Sequence, residues 1–306
     1  MRIKPWVGLM LWVVNALAYA DYNAGLEEYS HQNYASAIHE WRTSAERGDA
    51  ESQFALGMMY ERGQGVSENL DEAYKWYRLS ADNGMMDAQV RLGELYLLGA
   101  IEGEPGDAAR WFEQAAEEGN AAAQFQLGLL YLEGQGVETA PDLAARWFEL
   151  AAEQGFVAAQ NNIGSLYENG QGVEQSYTRA FEWYERAAKQ NDPFAQNNLG
   201  ALYANGNGVE RNHAWAVFWF VMAAKGGNSL AQENIAASLQ HLEEKQIAGN
   251  NVNIRAGSNT DFDRIASLSR SDSVHVLGST DGWSQVYFEQ EEGIPTLGWV
   301  SNTLIE

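Results

Sequence analysis

Within the stretch YENGQGVE, Tyr167 to Glu174, two glycines stand one residue apart, the opening of a loop whose backbone N–H groups can cradle phosphate. Dinucleotide binding also needs a buried strand before the loop, a helix after it and a third glycine three residues past the second. Here that third position is Gln175. The same pair recurs in ERGQGV, LEGQGV and ANGNGV, at Gly63/Gly65, Gly134/Gly136 and Gly206/Gly208, each time between helix-like segments. A nucleotide site would use one such loop, so four copies point to a structural turn. In that turn glycine takes positive φ and Val173 returns an apolar side chain between the helices.

Other side chains capable of chemistry lack the company they need. The histidines are His31, His39, His213, His241 and His275. None stands in HExxH spacing, and no two share a helical face with a nearby carboxylate as a metal site requires. His275 alternates with Val274 and Val276, which predicts an outward-facing strand position. No G-x-S-x-G elbow is present. Adjacent pairs such as Glu117-Glu118 and Glu243-Glu244 point apart on a helix and read as solvated faces, while a glycosidase pair assembled in three dimensions stays open. The chain therefore reads as a non-enzyme with no catalytic, cofactor-binding or metal-binding residue.

The N-terminus, MRIKPWVGLMLWVVNALAYA, has two basic residues, an apolar run from Trp6 to Val14 and the small-x-small sequence Ala18-Tyr19-Ala20. That pattern predicts an export signal over 1–20, cleaved after Ala20, and a periplasmic mature chain with no stable membrane insertion. The run is shorter than the ~20 residues that span a bilayer. Loss of Arg2 and Lys4 leaves 17 basic residues against 42 acidic ones, moving the formal charge from −23 to about −25. So acidic a surface repels nucleic acid and anionic lipid and favours basic or neutral partners. Cysteine is absent, which excludes a disulfide framework, thiolate chemistry and a lipidated N-terminal cysteine.

A period of about 36 residues organises most of the chain. Leu-Gly or Ile-Gly pairs end at Gly57, Gly93, Gly128, Gly164 and Gly200, a tyrosine follows each by three, and tryptophans recur at Trp76, Trp111, Trp147, Trp183 and Trp219. Two helices per period follow, because Ala180, Trp183, Tyr184, Ala187 and Ala188 form one apolar stripe in the second helix of a unit. Gly48, Gly84, Gly119, Gly155 and Gly227 stand where a left-handed cap is wanted, with Asn191 replacing glycine once. A glycine inside the first helix costs about 1 kcal/mol relative to alanine, so its recurrence predicts a close approach of two helix backbones.

The pattern A-x-x-x-LG-x-x-Y-x-x-G-x-GV followed by A-x-x-W-x-x-x-AA-x-x-G resembles the Sel-1-like repeat, a relative of the tetratricopeptide repeat. Leu98-Gly99-Ala100-Ile101 departs from it in the second unit. The resemblance implies an α-solenoid of antiparallel helix pairs over 50–242 that binds protein partners. Residues 21–49 fit a shorter tetratricopeptide-like capping unit. The segment Ala231 to Leu242 is the expected cap at the other end.

After a polar stretch read as a linker, 243–250, the composition turns to short strands: VNIRA, RIASL, SVHVLG, WSQVYF and LGWV. With Asp281-Gly282-Trp283 and Gly298-Trp299-Val300, residues 251–306 resemble the bacterial Src-homology-3-like domain, a small all-β barrel. That family implies binding of cell-wall peptides or of other proteins. Trp283, directly after a turn, and Tyr287 are the candidate groove aromatics, and Trp299 reads as structural.

If the first helices line the binding face, the residues three before and one after each Leu-Gly glycine point into it. These are Phe54 and Met58, Val90 and Glu94, Phe125 and Leu129, Asn161 and Ser165, and Asn197 and Ala201. Early units offer apolar groups. Later ones offer Asn161, Asn162, Asn197 and Asn198, which either hydrogen-bond an extended peptide or close contacts between helices. The resulting expectation is an exported scaffold or adaptor for an envelope protein or peptide, with peptidoglycan binding through the barrel, or regulation or catalysis of cell-wall turnover, as the alternatives.

Overall fold

The computed structural model describes residues 22–104, 106–290 and 293–306. The expected signal over 1–20 lies outside the described residues. Thirteen helices and six strands are seen among them. They run α1 (22–30), α2 (Tyr34–Ala45), α3 (Ala50–Arg62), α4 (Leu70–Asp82), α5 (Met86–Leu97), α6 (Asp107–Glu117), α7 (Ala121–Glu133), α8 (Pro141–Glu153), α9 (Val157–Asn169), α10 (Tyr177–Lys189), α11 (Pro193–Asn205), α12 (His213–Lys225) and α13 (Ala231–Leu239). The strands are β1 (Glu244–Gln246), β2 (Val252–Arg255), β3 (Arg264–Leu268), β4 (Ser273–Thr280), β5 (Trp283–Gln290) and β6 (Ile294–Ser301). The chain forms two compact units that divide between Ala151 and Ala152, near the end of α8.

Each repeat is held by devices that follow from its sequence. Helices start on side-chain caps: Asp49, Asn69, Asn120, Ser176, Asp192 and Asn212 each accept from a backbone N–H three residues on. The glycine loop ends the first helix of a unit, with Gly170 at φ +68° accommodating the left-handed cap of α9. Asn191, at φ +65°, takes the left-handed position that glycine fills after the other second helices. A buried glutamine also repeats. Gln53, Gln124, Gln160 and Gln196 donate Nε2 to the carbonyls of Ala45, Ala116, Ala152 and Ala188, each eight residues upstream, at 2.9–3.2 Å. Those carbonyls belong to helix C-termini, whose last acceptors would otherwise be orphaned.

The mid-helix glycine makes room first for an aromatic ring, with the expected backbone approach seen beside it at Gly200, where the Ala216 carbonyl oxygen would lie 3.2 Å from the Cβ. A Cβ built on Gly57, Gly93, Gly128, Gly164 or Gly200 would lie 2.5–2.8 Å from ring atoms of Tyr77, Phe112, Phe148, Tyr184 or Phe220. The space belongs to an aromatic ring, the residue directly after each tryptophan. The ring is fully buried in every unit.

Where that ring is tyrosine its hydroxyl needs a partner. Tyr77 donates to Glu61 at 2.5 Å and Tyr184 to Glu168 at 2.8 Å, both acceptors standing four residues after the glycine. Where the ring is Phe112, Phe148 or Phe220, the same position carries Leu97, Leu132 or Ala204. Polar pairs with polar and apolar with apolar, repeat by repeat.

In the first unit, α1 and α2 form the short N-terminal hairpin, where Trp41 packs in the core and donates its indole N–H to the Tyr22 carbonyl at 3.1 Å. In the second unit the strands form one antiparallel sheet in the order β1-β4-β5-β6-β2-β3. All five expected strands are present. The stretch 243–250, expected as a linker, contributes a sixth: β1 pairs with β4, and Ile247 is fully buried in the barrel core and bridges to Ile305. A single apolar residue among polar neighbours was too weak a signal to reveal an edge strand. β1 and β3 end the ladder without pairing with each other, so the barrel is open along that seam.

Candidate functional site

The predicted partner-binding residues of the first unit are half-buried. Phe54 on α3 lies 5.5 Å from the Tyr77 ring, Met58 packs on the same cluster, and Phe125 on α7 lies 5.6 Å from Phe148. Their inner edges belong to the repeat core, which leaves only their outer edges for a partner. Beside them Arg91 on α5 donates to Glu61 on α3 and, at 2.6 Å, to Glu94. Burial opposes ionisation of Glu61, but the bonds from Arg91 and Tyr77 outweigh it and hold its pKa below the usual carboxylate value. The same bond to Glu61 raises the Arg91 guanidinium. This pair therefore links adjacent helix pairs as well as shaping the surface.

In the second unit the asparagines form a ladder between repeats. Asn198 Nδ2 donates to Asn161 Oδ1 at 3.1 Å, and Asn234 Nδ2 donates to Asn197 Oδ1 at 2.8 Å, each bond spanning 37 residues. These two bonds close contacts between helices through the Oδ1 of each acceptor amide. Asn162 and Ser165 are half-buried beside the ladder. The Nδ2 groups of Asn161 and Asn197 make no hydrogen bond to another described residue.

The barrel aromatics separate. Trp283 opens β5 opposite Thr280 and Ser301 and is half-buried. Tyr287, expected beside it in a groove, is only 4% exposed and packs with Ala216, Val217 and Phe220 of α12 and Ile235 of α13. It anchors the barrel to the last helices and also lines a groove on the barrel. Burial and then the bond to Glu289, accepted at 2.9 Å, hold its hydroxyl pKa well above the ordinary value. Leu277 and Leu297 join the same contact, so the barrel covers the end of the repeat array that α13 alone was expected to cap.

Two concavities follow from this docking. A groove of about 980 Å³ runs beside β3, between Ile265 to Leu268 and Ser273, His275, Tyr287, Glu289 and Gln290 of β4 and β5. A smaller pocket of about 280 Å³ is lined by Trp215 and Phe218 of α12 and by Gln285 and Trp299 of the barrel. Trp299, read as structural, is thus also a pocket residue. Trp215 and Phe218 were not singled out in the sequence, because only the docking of α12 on the barrel brings them there. His213 and His241 stack with centroids 4.2 Å apart, 28 positions separated in the chain. Burial, then the charges of His241 and Arg211, lower the His213 pKa. Among the described residues no group of three or more His, Asp or Glu side chains is arranged to hold a metal ion.

The Sel1 repeat family matches this chain at residues 50–85, 87–120, 121–156, 157–192 and 193–228, more than half of its length. The chain belongs to the Sel1 repeat family. A bacterial SH3 domain matches residues 250–306, so the Sel1 solenoid carries an SH3-like barrel at its C-terminal end. A protective antigen of uropathogenic Escherichia coli displaying an SLR fold is similar at 30% identity and TM-score 0.69, over 78% of this chain and 52% of that one. A Sel1 repeat protein from Oxalobacter formigenes is 31% identical with TM-score 0.68, over 72% of this chain and 90% of that one. Among curated relatives, DAP3-binding cell death enhancer 1 of Rattus norvegicus is 42% identical over 66 residues, 22% of this chain and 13% of that protein. A putative sel1-like repeat-containing protein of Acanthamoeba polyphaga mimivirus is 33% identical over 98 residues, 32% of this chain and 18% of its own length. The chain thus spans less than a fifth of these two curated relatives. Sel1 repeats point to protein–protein interaction, and the bacterial SH3 domain points to cell-wall binding. No described helix is long and apolar enough to cross a membrane.

Proposed function

We propose that this Sel1 protein is an exported, non-enzymatic adaptor of the cell envelope that holds a protein or peptide partner on its repeats. The observation that carries this reading is the asparagine ladder. It fixes Asn161 and Asn197 through Oδ1 while their Nδ2 donors stay available to the carbonyls of an extended chain. Half-buried Asn162, Ser165 and Asn198 flank them in the second unit, and the outer edges of Phe54, Met58 and Phe125 offer apolar contacts in the first. The acidic surface favours a basic or neutral partner. Crosslinking in intact cells followed by mass spectrometry tests the reading. Envelope proteins captured by the native chain, and lost with Asn161→Leu and Asn197→Leu, are expected. Unchanged capture by the double variant would remove the role of the ladder.

A second reading, peptidoglycan binding through the barrel, is favoured by the groove beside the unpaired edge of β3. A free strand edge next to a groove can accept an extended peptide by strand addition. Cosedimentation of the full chain with purified sacculi measures it. Retention of that binding by folded Trp283→Ala would show that Trp283 takes no part.

A further inference from the structure

The pocket between α12 and the barrel has a lining that neither reading uses. Its walls are three aromatic rings, Trp215 and Phe218 from the helix and Trp299 from β6. Asn212, Thr280 and Gln285 stand around them, and no lining residue is charged in a chain of net charge −23. Trp215 is 48% exposed, unusually open for an indole. Its ring is nevertheless held in place, 6.2 Å from and nearly parallel to Tyr203 and 5.4 Å from and edge-on to Phe218. The Gln285 carboxamide makes no hydrogen bond to any described residue.

From this composition we infer that the pocket binds one neutral pyranose ring of a glycan. A sugar ring presents apolar C–H faces to aromatic rings and hydroxyls around its rim, so it uses both halves of the lining. A volume of about 280 Å³ is just below the ~300–1,000 Å³ of sites that enclose drug-sized ligands, which suits a single ring. A charged ligand would find no counter-charge among the lining residues. A proline ring would fill the aromatic wall but leave the Gln285 carboxamide unanswered, at a cost in desolvation. The site depends on α12 and the barrel staying docked through Tyr287 and belongs to neither alone. It goes beyond the adaptor reading, which concerns the repeat face.

Isothermal titration of the full chain with oligomers of N-acetylglucosamine and of glucose, alongside a proline-rich peptide, decides the matter. Binding of at least one oligosaccharide is expected. Trp215→Ala should weaken it about tenfold, the size of one lost ring-stacking contact, with the melting temperature nearly unchanged because the side chain is half exposed. Gln285→Ala should also weaken it, which loss of an apolar ligand contact would not explain. No binding of either oligosaccharide overturns the inference even if sacculi are still bound, since wall peptides held in the groove beside β3 would account for the latter. Equal binding by both variants, or binding of the proline-rich peptide alone, overturns it as well.

Discussion

The tyrosine–glutamate pairs make the sharpest claim about what stabilises the repeats. Tyr184 is 1% exposed, and its hydroxyl donates to Glu168 at 2.8 Å. Burial, then the Glu168 charge and this bond, keep the hydroxyl protonated far above its usual range. Glu168→Leu removes the charged acceptor and leaves the buried hydroxyl only the weaker company of Ser165 and Asn198, an expected loss of about 1–3 kcal/mol. Tyr184→Phe removes the donor and leaves a carboxylate that can turn toward water, so about 0.5–1.5 kcal/mol is expected. The double variant reproduces the pairing that the third repeat already has in Phe148 and Leu132. It should therefore recover to within about 1 kcal/mol of the parent, giving a coupling of about 1–2 kcal/mol in the double-mutant cycle. Urea unfolding followed by circular dichroism supplies the four free energies. If the two single losses simply add, the paired choice of residues at these positions does not arise from the hydrogen bond, and the reasoning fails.

Further measurements address the remaining contacts. Gly128→Ala should gain about 1 kcal/mol by helix propensity alone, yet its Cβ would sit 2.6 Å from the Phe148 ring; a net loss of about 1–3 kcal/mol is expected in urea, relieved by Phe148→Leu. Tyr287→Ala should cost about 3–5 kcal/mol and open residues 240–250 to limited proteolysis, whereas the parent should resist cleavage there because β1 is paired. His213 is held below its ordinary pKa of about 6.5, so in mild acid the unfolded chain binds a proton that the native chain refuses. Stability is then full above that value and falls as the pH drops through it toward the lowered native value. The thermal midpoint should decline less steeply with acidification in His213→Gln.

Much of this protein was legible in its sequence because a repeat writes the same physical problem five times. Helix starts need a side-chain acceptor, helix ends need a left-handed residue, and apolar stripes need a 3.6-residue spacing. Asp192, Gly170 and the Trp183 stripe state these needs locally. Repetition also disposed of the phosphate-loop reading, since Gly170 and Gly172 are the cap and turn of a helix pair. The ring that fills the space at Gly164 was present in the pattern as the residue after tryptophan, but backbone and ring approach leave the same glycine in the sequence. Tertiary structure alone decided the rest. A strand edge such as β1 exists only when β4 lies beside it, and Tyr287 is an anchor as well as a groove residue because α12 and α13 pack against it. The pocket of Trp215, Phe218 and Trp299 joins residues more than eighty positions apart. No local spacing encodes such a meeting, because it depends on how two separately patterned modules bury their ends against each other.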